Sequence, residues 1–326
     1  RMSQLMNALQ IVSPGVAKFV KTDIPVLKTG YALVSPRLIS LCGSDIWMLH
    51  YSADEMYPLP PGTSGHELIA EIVDLEDDSD SFKKGDLCLV IAPDHRAMAE
   101  YYLAPIKNLI PLSPGKTAEE LLMSQQLGTV IYAAKKLPNI IGKTVVVIGQ
   151  GSAGQWFNHI LRQLGAEKIL GIDKIESRLK LSENYGATHT FNNSRGSALD
   201  FLKQLNGGEL AEIVVEAAGT QSSINLSFKL AKNDTGFILQ FGVPHEPLEI
   251  DYYTMFTKCL NIKSIEHANS EKGHSSTKKA MEMISNDLIN TNKILTHRLP
   301  FKNVNQAYEL QRTGSDDCHK IIIEMP

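Results

Sequence analysis

The fold of this protein is decided by one stretch of its sequence, Val145-Val146-Val147-Ile148-Gly149-Gln150-Gly151-Ser152-Ala153-Gly154. The four apolar residues predict a buried strand, and residues 155–164 predict a helix directly after the glycines. Gly149 suits a tight turn, Gly151 lets the backbone approach a pyrophosphate, and Gly154 lets helix and strand pack closely. The free amide hydrogens at the start of the helix, together with the positive end of its dipole, attract phosphates. The stretch therefore predicts a dinucleotide-binding site.

An acidic residue, Asp173, closes the next predicted strand, nineteen residues after Gly154. A carboxylate at this spacing accepts hydrogen bonds from an adenosine ribose, and its charge opposes the 2′-phosphate of NADP. We therefore expect NAD to be preferred, although Lys174 and Arg178 are also placed to reach a phosphate. The competing interpretation is a structural turn followed by a helix-capping aspartate. The cofactor-binding residues expected from these motifs are Gly149, Gly151, Ser152, Ala153, Gly154, Asp173 and Arg178.

The pattern of predicted secondary structure changes after about the first third of the chain. Short apolar runs separated by Gly and Pro predict antiparallel strands over the first 115 residues, followed by one helix over 118–137. Beyond residue 143, strands and helices alternate with short connections, which is typical of a doubly wound parallel sheet with helices on both faces. The strands are predicted at 144–148, 168–172, 188–191, 212–215, 236–241 and 260–265, and the helices at 154–164, 175–185, 197–205 and 222–230. The strand-like segment 320–323 is expected to return to the first domain.

The composition excludes several classes of function. The 326 residues are enough for two domains, and 43% apolar with 21% charged residues is typical of a protein with buried cores. Lys and Arg number 32 against 36 Asp and Glu, without the basic block of a nucleic-acid-binding protein. No apolar run approaches the roughly 20 residues of a membrane-spanning helix. Residues 2–9 lack the cationic start and long apolar stretch of a secretion signal, so none is expected from them. Four widely spaced cysteines favour a reducing cytoplasm over a disulfide scaffold.

Two short motifs carry residues that can bind a metal, Cys42-Gly43-Ser44-Asp45 and Gly65-His66-Glu67. Cysteine, histidine and glutamate are all zinc ligands, and a catalytic zinc needs three of them with one open position. Each residue alone has a simpler interpretation, because a lone cysteine is commonly a small buried apolar residue and a lone histidine part of a core. The spacing of the two motifs does not decide between these interpretations.

The order of the motifs resembles the zinc-dependent medium-chain dehydrogenases, the family of alcohol, polyol and threonine dehydrogenases. The resemblance covers nearly the whole chain and includes Lys84-Gly85-Asp86, Ala99-Glu100-Tyr101, the glycine motif and the segments 214–219, 236–242 and 296–298. It implies an α/β protein with a GroES-like, mainly antiparallel β catalytic domain formed by residues 1–125 and 270–326. The inserted Rossmann domain, with a doubly wound parallel sheet, would take in residues 126–269, and Gly219 and Gly242 would bind the cofactor.

The resemblance also implies a role for each residue of the two metal motifs. Cys42 and His66 would be zinc ligands, and Glu67 would be a ligand or a close neighbour of the metal. Asp45 would fix the orientation of a histidine, and Ser44 would pass on the proton of the bound alcohol. Zinc lowers the pKa of such an alcohol, and a hydride then moves to the nicotinamide.

Two departures from the family pattern concern the metal. The segment 91–98 has no cysteine where the family's structural zinc lobe lies, so we expect one catalytic zinc and no structural zinc. Gln125 stands where the family usually has a further Cys or Glu ligand, and a neutral amide binds zinc poorly. The site is therefore either Cys42, His66 and Glu67 with a water, or a weakened one.

The relay histidine common in the family is also missing, because Trp47 stands at its position. His50, one helical turn further on, either takes over the relay or is a surface residue. Together with Gln125, Trp47 leaves open a protein that binds a dinucleotide without catalysing a reaction. A zinc-free quinone or enoyl reductase of the same superfamily is the other alternative, although its members lack the cysteine and the Gly-His-Glu motif.

The sequence thus predicts an oxidoreductase that transfers a hydride between a secondary alcohol and NAD with the help of zinc. The resemblance implies a polyol, a sugar or an amino alcohol as the small-molecule substrate. It also implies a homodimer or homotetramer, and the segment 236–242 is one candidate for a strand that pairs across the subunits. We expect no nucleic-acid partner, no membrane partner and a cytoplasmic location.

Overall fold

The computed structural model of the protein describes residues 4–76, 81–244, 247–266 and 268–326. The chain divides into two compact units, Arg1–Gly128 with Asn269–Pro326, and Thr129–Ala268. The strands are β1 (Leu5–Ser13), β2 (Val16–Asp23), β3 (Tyr31–Ser40), β4 (Glu67–Leu75), β5 (Leu87–Ile91), β6 (Tyr102–Pro105), β7 (Leu109–Pro111), β8 (Thr144–Ile148), β9 (Lys168–Asp173), β10 (His189–Asn192), β11 (Ile213–Glu216), β12 (Phe237–Gln240), β13 (Asn261–Ser264), β14 (Leu295–Pro300) and β15 (Lys320–Glu324). The helices are α1 (Gly43–Tyr51), α2 (Ala118–Leu122), α3 (Ser124–Ala134), α4 (Ser152–Gln163), α5 (Glu176–Ser182), α6 (Ala198–Leu205), α7 (Gln221–Leu230), α8 (Tyr252–Thr257), α9 (Ser275–Ser285) and α10 (Val304–Thr313).

The first unit is built mainly from antiparallel strands, as its turn-rich sequence predicts. Strands β1 and β2 form a ribbon, and a larger sheet has the order β14-β15-β3-β4-β5-β7, with β6 paired to β3. The last strand, β15, runs antiparallel to β3 and places Ile323 opposite Ile39. Because β15 is an apolar run that is buried almost throughout, its return completes the core of this unit.

The second unit confirms the predicted parallel sheet, with the order β10-β9-β8-β11-β12-β13. Strand β8 is buried along its whole length, because it lies in the middle of a sheet of this kind, whose two faces are covered. The chain order reverses between β8 and β11, and ligands of such sheets bind outside the carboxyl ends of the strands at this point.

Strand β12 corrects the expectation that 236–242 pairs with a second subunit. It is hydrogen-bonded to β11 on one side and to β13 on the other, so its backbone groups are used within the sheet. The edge of the sheet on this side is β13, whose four residues are all exposed.

Two helices differ from their predicted bounds for local reasons. The helix expected over 118–137 is broken into α2 and α3, because the amide of Met123 bonds back to Glu120 and Leu121 and ends α2 tightly. Helix α4 begins at Ser152, two residues before its predicted start, because the extended backbone of Gly151 already caps it. In the part of the chain that the structure describes, no helix has the length and apolar character needed to cross a membrane.

Candidate functional site

The first metal motif folds as the start of helix α1. Cys42 is the N-cap, and its Sγ accepts the amide hydrogen of Ser44 at 3.4 Å. The Asp45 carboxylate bonds back to the amide of Cys42 at 2.8 Å, which completes a capping box. The Cys-Gly-Ser-Asp sequence therefore forms a helix start. It places the sulfur of Cys42 next to the hydroxyl of Ser44, with Oγ at 2.8 Å from Sγ.

The second metal motif lies at the start of strand β4, beside the end of β3. The register places Ser40 opposite Glu67, and the chain reaches Cys42 two residues after Ser40. The distance from Cys42 Sγ to His66 Nε2 is 3.6 Å, and from His66 Nε2 to Glu67 Oε1 it is 3.9 Å. One ligand atom from each of Cys42, His66 and Glu67 lies within 4.8 Å of the other two. Strand register thus assembles the sulfur, nitrogen and oxygen donor set that suits zinc.

Glu67 is buried and held through one of its two oxygens. Its Oε2 forms an ion pair with Lys320 Nζ at 2.7 Å and accepts a hydrogen bond from Ser40 Oγ. Lys320, on β15, has no exposed surface, and the Glu67 carboxylate is the opposite charge that compensates for its burial. The pair is an electrostatic contact rather than a well-directed hydrogen bond, since no bond with acceptable geometry reaches Nζ among the described residues. The other oxygen, Oε1, remains on the side of His66.

Asp45 contacts both metal motifs. Its Oδ1 accepts the amide hydrogen of Gly65 at 3.0 Å and lies 3.8 Å from His66 Nδ1. Although burial opposes the change, the interactions with His66 and with the amide of Cys42 lower the pKa of Asp45 to about 2. Burial also opposes the charged form of His66, but Cys42 and Asp45 raise its pKa well above the usual value. The contacts of Cys42 and Asp45 with the ring of His66 thus favour the protonated form of this histidine.

His95 is a neighbour of the site that sequence reasoning missed. Its ring packs on that of His66 with centroids 4.2 Å apart, and Asp45, His66 and His95 form a second group of possible ligands within 4.8 Å. Burial and the charge of His66 lower the pKa of His95 to about 4. The signal was present but weak, because a single histidine in the short segment 91–98 has no periodic or motif context.

In the second unit, the glycine motif forms the turn that its sequence predicts. Gly149 has a φ of +94°, and a Cβ on Gly154 would lie 2.0 Å from the carbonyl oxygen of Gly149. Gly151 caps helix α4, and Ser152 and Ala153 form its first turn. The amide-rich start of a 12-residue helix therefore stands at the carboxyl end of β8.

Asp173 stands at the end of β9, where its carboxylate organises this turn. Its Oδ2 accepts the amide hydrogen of Gln150 at 2.7 Å, and its Oδ1 accepts those of Lys174 and Ile175 at 2.7 and 2.9 Å. Arg178 Nη1 lies 3.8 Å from Oδ2. The acid and the base expected near an adenosine ribose are thus close to each other and to the glycine turn.

Gly219 and Gly242 lie together at the ends of the neighbouring strands β11 and β12. Gly219 has a φ of +70°, and a Cβ on Gly242 would lie 2.2 Å from the amide nitrogen of Gly219. Glu216 Oε1 accepts the amide hydrogens of Ala218 and Gly219 at 2.9 and 2.8 Å. A Cβ on Gly149 would lie 3.1 Å from Ala217, so the turns after β8 and β11 meet where the sheet order reverses.

Three more residues singled out in the sequence lie on helices α1 and α3. Gln125 is buried as the second residue of α3, and Trp47 is half-buried on α1. His50 is half-buried rather than fully exposed, and burial together with the charge of Arg312 lowers its pKa. Glu309 and Arg312, both on helix α10, are thus the charged neighbours of His50. The role of His50 as a proton relay stays a prediction.

Comparison with known proteins finds a family model for each of two parts of the chain. Residues 28–114 match the family model of the alcohol dehydrogenase GroES-like domain, and residues 153–286 match that of the zinc-binding dehydrogenase. A probable D-xylulose reductase A of Arthroderma otae is 26% identical over 94% of this chain and 94% of its own length. An L-threonine 3-dehydrogenase of Bacillus licheniformis is 25% identical over 98% of both chains.

A solved structure from Escherichia coli CFT073 has the same fold. It is described as a short chain alcohol dehydrogenase complexed with the cofactor NADH, and it superimposes with a TM-score of 0.83 at 21% identity. The similarity covers 98% of this chain and 99% of that one. The two domain models follow each other along the chain in the order that the resemblance implies. The chain belongs to the zinc-dependent medium-chain dehydrogenases, a family of oxidoreductases with a GroES-like and a Rossmann domain.

Proposed function

We propose that this protein oxidises a secondary alcohol with NAD⁺, and the reverse, using one zinc ion held by Cys42, His66 and Glu67. The observation that carries this proposal is that one ligand atom from each of Cys42, His66 and Glu67 lies within 4.8 Å of the other two. A thiolate, an imidazole and a carboxylate leave a fourth position open for the substrate, the arrangement of a catalytic rather than a structural zinc. When bound, the zinc would lower the pKa of the alcohol, and NAD⁺ would accept the hydride.

The residues behind the ligands keep them in place. Asp45 faces His66 Nδ1 and leaves Nε2 directed to the metal side, a common device for orienting a histidine ligand. Lys320 and Ser40 occupy Glu67 Oε2, so only Oε1 is available for a cation. Three ligands on rigid element ends, each with its own supporting contact, form a preorganised site.

Ser44 is the residue that we propose receives the proton of the alcohol. Its Oγ lies 2.8 Å from Cys42 Sγ, so a substrate oxygen near the metal would lie within reach of this hydroxyl. A hydroxyl can accept and donate at once, which lets it pass a proton toward solvent. This role needs no ionisable relay at Trp47.

The arrangement around Asp173 supports NAD rather than NADP as the cofactor. Its carboxylate stands beside the glycine turn, where a 2′-phosphate would meet a negative charge. The names of the similar proteins, a xylulose reductase and a threonine dehydrogenase, support a polyol, sugar or amino alcohol as the substrate. The residues expected to bind the cofactor remain those of the turn, 149–154, with Asp173, Arg178, Gly219 and Gly242.

A screen of NAD⁺ reduction over polyols and amino alcohols, run together with metal analysis, tests the proposal. We expect turnover of at least one secondary alcohol and one zinc per chain. Turnover of quinones or enones by a zinc-free preparation would instead support the reductase alternative. Binding of NAD⁺ without turnover of any alcohol by zinc-loaded protein would support the non-catalytic one.

For the assembly, we propose a homodimer that pairs strand β13 with its copy. An exposed edge strand presents unpaired backbone groups, and the adjoining helix α8 exposes Tyr252, Tyr253 and Phe256, the second of them by 78%. Tyr253→Lys, which puts a charge in this apolar patch, should shift the molar mass measured by light scattering from two chains to one. An unchanged mass would reject this face as the interface.

A further inference from the structure

The glycine turn contains a polar side chain that faces inward. Gln150, the second residue of the motif, has no exposed surface although amide side chains usually reach water. Its Nε2 donates to the carbonyl oxygen of Val147 at 3.0 Å. Its Oε1 accepts from Asn158 Nδ2 at 2.6 Å and from Ser182 Oγ at 2.7 Å. Both ends of the amide are thus hydrogen-bonded, as burial of such a group requires.

The neighbouring strand is shaped to admit this side chain. Gly171 lies in the middle of buried strand β9, and a Cβ there would come within 2.8 Å of Cδ and Oε1 of Gln150. A glycine inside a strand weakens the strand and commonly marks a close approach. The sequence of β9 is therefore matched to the amide at position 150.

A second buried amide connects the same turn to helix α5. Gln155 Nε2 lies 2.9 Å from the carbonyl oxygen of Gln150, 3.0 Å from that of Arg178 and 3.2 Å from Ser182 Oγ. Gln155, Asn158 and Ser182 are all fully buried. Counting the bond from the amide of Gln150 to Asp173, the network joins the glycine turn, the end of β9 and helix α5 from Arg178 to its last residue, Ser182.

We propose that Gln150 is a positioning residue that sets the spacing between the pyrophosphate and adenosine subsites. The inference rests on the proposed dinucleotide site, with the pyrophosphate at the turn and the ribose at Asp173 and Arg178. Gln150 acts through these groups and does not touch the cofactor. Fixing the two subsites at one separation reduces the ordering cost that a ligand spanning both must meet.

Calorimetric binding of two ligands to the zinc-loaded protein separates spacing from simple stability. ADP-ribose spans both subsites, whereas adenosine occupies one. In Gln150→Leu, which keeps the volume but removes both hydrogen-bonding ends, we expect the Kd of ADP-ribose to rise about tenfold. The Kd of adenosine should change less than about twofold. Gln163→Leu, the same change at an exposed position of α4, should leave both constants unaltered.

The outcomes that overturn the proposal are distinct from failure of the proposed function. An unaltered Kd of ADP-ribose in a Gln150→Leu protein of lowered Tm would show that the network only stabilises the unit. Equal weakening of adenosine would show that it shapes one subsite rather than the spacing. Wild-type protein that binds neither ligand would remove the dinucleotide site itself. Should Gln150→Leu not fold, Ser182→Ala removes one hydroxyl, which donates to Gln150 and accepts from Gln155, and should weaken ADP-ribose about threefold with adenosine unchanged.

Discussion

The two candidate sites of this protein are assembled in opposite ways. The glycine turn is contiguous, and its shape follows from residues that lie at most a few positions apart, such as Gly149 with its positive φ and Gly154 beneath it. The metal cluster draws Cys42 and His66 from different elements, and its support comes from Lys320 near the end of the chain. A contiguous site can be recognised from the sequence alone. For a cluster assembled by strand register, the sequence shows the candidate ligands but not the residues that support them.

The largest expected effect is the loss of the metal cluster with the dinucleotide site intact. Cys42→Ser removes the thiolate, and we expect turnover to fall below detection and the zinc content to drop, because serine is a poor zinc ligand. The Kd of NAD⁺ should change less than about twofold, since the glycine turn belongs to the other unit. Cys259→Ser, at an exposed cysteine, is the control. Loss of NAD⁺ binding in Cys42→Ser would make Cys42 structural and end the separation of the two sites.

The buried ion pair between Lys320 and Glu67, which supports the metal cluster, should contribute far more to stability than a similar ion pair on the surface. Lys320→Met leaves the buried Glu67 carboxylate without its cation, and we expect the free energy of unfolding to fall by about 3–5 kcal/mol. Arg37→Met breaks the half-exposed Arg37–Glu71 pair and should cost about 0–1 kcal/mol. Urea unfolding of both variants measures the difference. Equal losses would mean that the buried pair contributes nothing special to the site.

A substitution at Asp173 should change the cofactor specificity of the dinucleotide site without abolishing cofactor binding. We expect the wild type to prefer NAD to NADP by roughly a hundredfold in kcat/KM, since a charged acceptor both holds the ribose and opposes the phosphate. Asp173→Ser should weaken NAD and improve NADP, with Lys174 and Arg178 next to the phosphate. Kinetics with both cofactors at one substrate concentration measures this, with Asp200→Ser as a matched control. Equal use of the two cofactors by the wild type would assign the choice to Lys174 or Arg178.

The smallest expected effect is a tuning of metal retention. Gln125→Glu supplies a charged oxygen at the position where the family usually has a ligand, and we expect zinc release to a chelator to slow about tenfold. Gln126→Glu makes the same change at the next residue of α3 and should leave the release rate unaltered. A release rate unaffected by Gln125→Glu would show that this side chain points away from the metal.

Sequence reasoning succeeded where the signal was local or periodic. The parallel sheet, the glycine turn and the return of β15 followed from apolar runs and glycine spacing. It did not identify the edge strand of the parallel sheet, because the segment 236–242 and a true edge strand cannot be distinguished until the order of the strands is known. It also failed to divide the helix over 118–137, since the break depends on a bond from Met123 and not on a glycine or proline.

The sequence by itself determined the class of each element, the glycine turn and the identity of the candidate metal ligands. These depend on backbone dihedral preferences and on donor chemistry, which travel with single residues and short spacings. Only the tertiary structure decided that His95 packs on His66, that Lys320 holds Glu67, and that Gln150 turns inward beside Gly171. Each of these contacts joins residues that are distant along the chain, and strand register and burial, rather than local preference, bring them together.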